Sequence, residues 1–138
     1  MNGQWTGTYS GTNSGLLVAD FDDAGTNYQG IVSAYDDNWG LPRTFAHIEV
    51  PKGQTQYSTR VTLQHIERGS GLSLSDATVA GRFPGVSIPK HADVQLAVGP
   101  NSMSITWKSD IGTTASGELF KSAGGKPSTL KPMTLSDL

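Results

Sequence analysis

The segment YSTRVTLQHIE, residues 57–67, decides the fold class of this chain. Its residues alternate between two sets, as in a β-strand that buries one face and exposes the other. The set on the buried face consists of Tyr57, Thr59, Val61, Leu63 and His65. Nowhere in the chain does an apolar stripe with helical spacing run long enough to predict an amphipathic helix. We therefore predict an all-β protein.

Similar segments recur along the chain between turns rich in glycine and proline. The 138 residues include 17 glycines and 7 prolines, and the glycines are spread at intervals of about one strand plus one turn. The segments between them are rich in Val, Thr, Ile, Tyr, Phe and Trp, which favour strands. Predicted strands cover residues 4–10, 16–21, 27–35, 44–50, 57–67, 91–98, 103–109 and 113–121, with a short or irregular one within 81–87.

About eight sequential strands joined mostly by short turns favour an antiparallel meander. Closing such a sheet removes its exposed edges, so we predict an antiparallel up-and-down β-barrel, with a β-sandwich as the alternative. We predict that the barrel domain covers residues 1–121 and that residues 122–138 form a linker and C-terminal tail, to which a second domain could be attached. The least regular stretch is 68–89, where a single helical turn is expected at 73–79.

Composition excludes several classes of function. The chain has no cysteine, which excludes disulfides, thiolate zinc sites and a cysteine nucleophile. A formal net charge of −2 argues against a nucleic-acid partner. No apolar run approaches the length of a membrane span, and the first residues lack the apolar region of a signal peptide. We therefore expect a cytoplasmic protein with no membrane or nucleic-acid partner.

The histidines, acids and serines are the candidates for catalysis and metal binding. His47, His65 and His91 could converge on a zinc ion, with His47 and His65 as cross-strand neighbours, but no pair has a tight ligand spacing. The acid pairs 22–23 and 36–37 fall in predicted turns, and no serine lies in a nucleophile elbow. We predict no metal, no cofactor and no catalytic residue; the alternative is a small enzyme that uses His65 and His47 in the barrel mouth.

Candidate binding residues are large aromatic, imidazole and guanidinium side chains. Trp39 stands in a loop whose geometry does not need a tryptophan, and Trp107 is expected in the core or lining the lumen. The first 42 residues hold five Asp and no Lys or Arg, whereas Arg68 and Arg82 could form a later basic cluster for an anion. The predicted binding residues are Trp39, Tyr28, Tyr57, His65, Arg68, Arg82 and Trp107. The lumen either holds a ligand or is filled by side chains, Phe120 among them.

The opening Gly3-Gln4-Trp5-Thr6-Gly7-Thr8-Tyr9 resembles the Gly-x-Trp first strand of the calycins, which include the lipocalin, fatty-acid-binding and avidin barrels. The resemblance implies a calycin-like barrel in which Trp5 packs across the closed end. It also implies that a basic side chain of the last strands, Lys121 or Lys108, lies against that tryptophan. A free-standing lipocalin-like binder of small ligands is one function that follows.

A second resemblance covers residues 1–5 through 11–15, together with 35–38 and 109–113. These segments are similar to the N-terminal β-rich region that precedes the FRG domain in some bacterial proteins. The FRG domain is thought to be related to ADP-ribosyltransferases, and its Phe-Arg-Gly motif does not occur in this sequence. The resemblance implies a non-catalytic sensor or partner-binding module of a defence or toxin-type protein. Its partners would be an unidentified small molecule or protein, an FRG domain in cis, and a second copy pairing at any open sheet edge.

Overall fold

A computed structural model of the protein describes residues 1–38, 41–66 and 88–122, and the backbone of residues 73–74. Almost all of the described chain is β-strand or the short turns between strands, because its alternating segments suit a half-buried sheet. The strands within these residues are β1 (Gly3–Gly11), β2 (Gly15–Asp23), β3 (Asn27–Asp36), β4 (Arg43–Pro51), β5 (Gln56–Thr62), β6 (Gln64–Ile66), β7 (Ser73–Leu74), β8 (His91–Val98), β9 (Ser102–Ser109) and β10 (Thr114–Lys121). Residues 73–74 pair with β6, where the sequence indicated a helical turn.

The strands form one antiparallel sheet that bends round into a nearly closed barrel. Its order is β5-β8-β9-β10-β1-β2-β3-β4-β6-β7. Only Leu63 separates β5 from β6 along the chain, so together they are one bent strand that joins the two ends of the sheet. β6 pairs with β4, as in Thr44 opposite His65, and β5 pairs with β8, as in Thr62 opposite His91. The predicted up-and-down barrel is confirmed, and the sandwich is excluded because a single sheet encloses the core.

Successive strands run in opposite directions, which gives the barrel two distinct ends. At the closed end lie the chain start and the turns at residues 24–26, 52–55 and 99–101. At the open end lie the turns at residues 12–14 and 110–113 and the described ends of the connections after β3 and before β8. Any described side chain can therefore be assigned to one end by its position along its strand.

The closed half of the barrel is filled by its own side chains. Trp5 and Phe21 are fully buried there, with Met103, Leu119 and Val50 packed around them. Gly30 makes room for the Phe21 ring, since a Cβ at Gly30 would lie 2.3 Å from the ring carbon Cδ1. A side chain at this point of β3 would displace the ring, so glycine inside the strand is explained by packing.

Alternation along β10 corrects one expectation about the lumen. Leu119 is fully buried inside the barrel, so its neighbour Phe120 points outward and is 53% exposed. Phe120 therefore does not fill the lumen. Within the residues described by the structure, no helix is long and apolar enough to cross a membrane.

Candidate ligand-binding site

The open half of the barrel contains a cavity of about 360 Å³. Its walls are mainly aliphatic, because the inward positions of the strands carry Val, Leu, Ile and Ala as they approach the open end. Leu17, Ile48, Val61, Val94 and Ile105 come from five different strands and surround it. Mostly apolar clefts and cavities of this size are typical of small-molecule sites.

Two aromatic rings form one side of this cavity. Tyr9 of β1 and Trp107 of β9 both line it, with ring centroids 5.2 Å apart and planes inclined by 58°. The two strands flank β10, whose Gly117 lies opposite Tyr9 and has no side chain to separate the rings. A Cβ at Gly117 would meet the Cβ of Tyr9 at 3.1 Å. The pair thus presents polarisable ring surface to the lumen.

His65 is the imidazole of the cavity wall, and both its ring nitrogens are engaged. The side chain is 5% exposed. Its Nε2 lies 3.1 Å from the carbonyl oxygen of Pro89, which can only accept, so Nε2 carries the proton. Its Nδ1 lies 3.1 Å from Oγ1 of Thr44, the residue opposite it on β4. In the neutral ring the Thr44 hydroxyl therefore donates to Nδ1. His65 thus links β6 to β4 and to the segment that precedes β8.

The three histidines do not converge. His65 faces inward, whereas His47 lies three positions beyond Thr44 on β4 and is exposed on the outer surface. Nδ1 of His91 is 3.7 Å from Oδ2 of Asp110 at the rim. Over the described ranges no group of three potential metal ligands occurs. The alternative that His47 and His65 act together in the mouth is therefore wrong, because strand alternation places them on opposite faces of the wall.

Polar groups at the mouth mostly bind one another. The hydroxyls of Ser109 and Thr113, both lining the cavity, are hydrogen bonded across the β9–β10 turn, and the Thr113 amide also donates to Ser109 Oγ. Asp36 accepts from the backbone amide of Asn38 at 2.8 Å. The Ser14 hydroxyl donates to Asp37 at 2.9 Å, which ties the β1–β2 turn to the end of β3. In the part of the rim that the structure describes, these hydrogen bonds hold the β1–β2 and β9–β10 turns and the end of β3.

The shifted pKa values lie away from the cavity. A hydrogen bond from Lys52, whose Nζ is 2.6 Å from the carboxylate, lowers the pKa of Asp23 at the closed end, and the Gly25 amide adds to this. Desolvation raises the pKa of Asp20 on the outer face of β2, with a smaller contribution from Asp22. Desolvation, and then the charge of Lys121, lowers the pKa of the Met1 amino group.

Trp5 and Lys121 meet at the closed end. The indole Nε1 donates to the Met1 carbonyl at 2.9 Å, and Nζ of Lys121 lies 5.9 Å from the indole ring centroid. Lys108 is exposed on the outer face of β9, opposite Asp93. The basic side chain against the tryptophan is thus that of Lys121.

The predicted binding residues divide into three groups. His65 and Trp107 line the cavity. Tyr28 and Tyr57 are half-buried against the core at the closed end and do not line it, because each lies at the closed-end terminus of its strand. Trp39, Arg68 and Arg82 lie outside the described residues. Residues that the sequence did not single out include Tyr9 and Thr44, although inward alternation from Trp5 along β1 would have found Tyr9.

Comparison with known proteins supports the fold alone. No protein-family model matches the sequence, and no curated protein does. Three solved designed barrels are similar in structure. A redesigned beta barrel, b11L5F_LGL, has a TM-score of 0.55 at 10% identity over 86% of this chain and 89% of its own. A redesigned beta barrel, mFAP1, bound to DFHBI, has a TM-score of 0.54 at 10% identity over 86% and 93%. A fluorescence-activating beta barrel designed de novo has a TM-score of 0.50 at 13% identity over 87% and 92%.

Proposed function

We propose that this protein is a non-catalytic ligand-binding barrel that encloses a small, mostly apolar molecule in the cavity of its open half. The observation that carries the proposal is the contrast between the two halves of the barrel. Tightly packed side chains fill the closed half, whereas a cavity of about 360 Å³ remains in the open half. Burial of apolar ligand surface there would contribute roughly 25 cal/mol per Å².

The similar structures and the polar groups of the cavity both favour binding over chemistry. One of the similar designed barrels was solved with DFHBI bound, so a barrel of this form can hold a small molecule. Both ring nitrogens of His65 are held by Thr44 and Pro89, and the hydroxyls of Ser109 and Thr113 are hydrogen bonded to each other. These groups serve the structure of the open end, which is not the arrangement of an activated nucleophile with its base.

A matched pair of variants on β3 tests the proposal. Val32 lines the cavity, and its neighbour Ile31 points outward and is 42% exposed. Nile red, an uncharged dye whose emission shifts to the blue in apolar surroundings, is titrated into wild type, Val32→Phe and Ile31→Phe. We expect saturable binding by wild type and Ile31→Phe, and roughly tenfold weaker binding by Val32→Phe, because the added ring occupies the cavity.

Two results would overturn the ligand-binding proposal. One is no saturable binding of the dye by wild type. The other is an equal loss of Nile red affinity in Val32→Phe and Ile31→Phe while the thermal unfolding of both variants remains cooperative. Binding would then not involve the cavity.

We further propose that the barrel is the sensor or partner-binding module of a bacterial FRG-domain protein, so that any enzymatic activity resides in a downstream domain. Support comes from the similarity of residues 1–15, 35–38 and 109–113 to the region that precedes such domains. Reading the gene beyond the codon of Leu138 tests this. A continuing frame that encodes a Phe-Arg-Gly motif is expected, and a stop codon directly after Leu138 would refute it.

A further inference from the structure

The outer wall formed by the neighbouring strands β10, β1, β2 and β3 exposes several large apolar side chains. Of the five large hydrophobic residues that are exposed in the described chain, four lie on this wall, namely Leu16, Val18, Ile31 and Phe120. Their exposed fractions lie between 38% and 56%. Apolar side chains that are exposed together mark surfaces that bind other molecules, whereas scattered single ones do not.

The register of the strands brings these four side chains together. Leu16 and Val18 are two positions apart on β2, so both point outward. Ile31 lies on β3 opposite the outward position that follows Val18, and is therefore diagonal to Val18. On the other side, Thr6 of β1 lies opposite both Val18 and Phe120. These four residues, Leu16, Val18, Ile31 and Phe120, form one surface, which we call the apolar outer patch.

The charged side chains next to the apolar outer patch are carboxylates. Asp20 and Asp22 follow Val18 at the outward positions of β2, and Glu118 precedes Phe120 on β10. No lysine or arginine occupies an outward position on β10, β1, β2 or β3, all of which the structure describes in full. In the described part of the chain, no ion pair involves these three carboxylates. The patch therefore has an acidic border.

Arg43, on the adjoining strand β4, is held by aromatic side chains. Its Nη1 donates to the hydroxyl of Tyr35 at 2.9 Å, and its guanidinium carbon lies 5.8 Å from the centroid of the Phe45 ring. It stands at the open-end terminus of β4, whereas Asp20 lies toward the closed end of β2. Arg43 therefore does not pair with the carboxylates beside the patch.

The Asp20 carboxylate responds to this environment. It follows Val18 by two positions on β2 and lies opposite Ile31 on β3. Desolvation raises the pKa of Asp20, and the charge of Asp22 adds a smaller contribution. A carboxylate that has lost water without gaining a cation is stabilised when a lysine or arginine side chain approaches it. The acidic border thus favours a positively charged partner.

The size of the patch and its charge argue against a second copy of the chain as the partner. Four adjacent strands about 4.8 Å apart, and four residues along a strand at about 3.3 Å each, give a patch of roughly 14 Å by 13 Å. This area of roughly 200 Å² is far below the ~800 Å² that each partner contributes to a standard stable interface. A twofold pair would also bring the acidic borders of two copies together. A short segment of a different protein fits both observations.

We propose that the apolar outer patch binds a short amphipathic segment of another protein. Apolar side chains of that segment cover Val18 and Ile31, and its lysine or arginine side chains pair with Asp20 and Glu118. The patch is separate from the cavity, because none of its four residues lines the lumen. Binding at this surface therefore does not depend on a ligand in the lumen.

Three short fluorescein-labelled peptides test this preference by fluorescence anisotropy at low salt. The first carries leucines on one face and lysines on the other. The second has glutamate in place of each lysine, and the third has serine in place of each leucine. We expect saturable binding of the leucine–lysine peptide and roughly tenfold weaker binding of the other two, because each of them lacks one of the two complementary features.

Two matched pairs of variants locate the binding on the outer wall. Ile31→Thr and Ile111→Thr remove apolar surface from side chains that are each 42% exposed, the second of them in the β9–β10 turn. Asp20→Asn and Asp93→Asn each remove one exposed carboxylate, the second of them on β8. Affinity for the leucine–lysine peptide should fall roughly three- to fivefold in the two variants at the patch and its border, and remain nearly unchanged in the two controls. Threonine is β-branched like isoleucine, so the strand is retained in Ile31→Thr.

Four results would overturn the proposed binding surface. Wild type could show no saturable binding of the leucine–lysine peptide, or equal affinity for the lysine and glutamate peptides. The two members of either matched pair could lose affinity equally while their thermal unfolding remains cooperative. A wild-type dimer in sedimentation equilibrium that Ile31→Thr dissociates would make a second copy the occupant. Binding to phosphatidylcholine vesicles that Ile31→Thr abolishes would make the occupant a membrane surface.

Discussion

Two phenylalanines on opposite sides of the barrel wall provide the sharpest test of which side chains form its core. Phe21 is 0% exposed, whereas Phe120 is 53% exposed. Truncation of Phe21 removes roughly 120 Å² of buried apolar surface, which at about 25 cal/mol per Å² amounts to about 3 kcal/mol. The cavity left behind raises the loss to about 3–5 kcal/mol for Phe21→Ala. Phe120→Ala should cost less than about 1 kcal/mol, since its ring is largely in solvent.

Urea unfolding monitored by tryptophan fluorescence measures both free energies of unfolding. Phe21→Leu is included because it should cost only about 1–2 kcal/mol, which keeps the comparison measurable if Phe21→Ala is largely unfolded. Nile red affinity should be the same in folded Phe21→Leu as in wild type, because Phe21 does not line the cavity. An equal loss of stability in Phe120→Ala and Phe21→Ala would refute the assignment of inner and outer faces.

Three other substitutions test local electrostatics and hydrogen bonding. The lowered pKa of Asp23 means that its stabilisation is present at neutral pH and is lost as pH falls through the folded-state value. Asp23→Asn should therefore have a lower melting temperature than wild type at pH 7, and the difference between the two should shrink below pH 3.8. A difference in melting temperature that does not change with pH would contradict the bond to Lys52. The raised pKa of Asp20 means that its carboxylate destabilises the folded protein at pH 7. Asp20→Asn should therefore raise the melting temperature at pH 7, and this gain should disappear below pH 3.8. A lower melting temperature of Asp20→Asn at pH 7 would contradict this expectation. His65→Phe should cost about 1–3 kcal/mol in urea unfolding, because Thr44 and Pro89 lose their partner, whereas an unchanged stability would show that those bonds contribute nothing.

Alternation along the strands predicts much of the fold. The face shared by Tyr57, Thr59, Val61, Leu63 and His65 is the inward face of the bent β5–β6 strand. The same strand closes the sheet, because β5 pairs with β8 and β6 pairs with β4. Alternation within a strand does not show which strands it pairs with. The sequence therefore indicates a barrel from strand number and turn length, and the pairing is what shows how it closes.

Register explains where prediction of the site failed. Proximity in the sheet suggested His47 and His65 as partners, but the β4–β6 register places Thr44 opposite His65. Phe120 was expected to point inward because it is a large aromatic residue. The β1–β10 register instead directs Leu119 inward. A shift of one residue exchanges the two faces of a strand, so residue type alone cannot assign them.

The cavity itself could not be predicted from the sequence. Its existence depends on the difference between the volume of the barrel and the summed volume of its inward side chains. Small residues such as Ala34, Ala46 and Ala92 line the cavity in the open half of the barrel. The large side chains of Trp5 and Phe21 fill the closed half. Their distribution along the barrel axis becomes visible only when the strands are in register.

A crystal structure of the protein grown with decanol tests the central claim most directly. We predict electron density for one decanol in the open half, with its tail against Val61 and Val94. Density for decanol on the outer surface alone, or an open half filled by the protein's own side chains, would contradict a ligand-binding barrel.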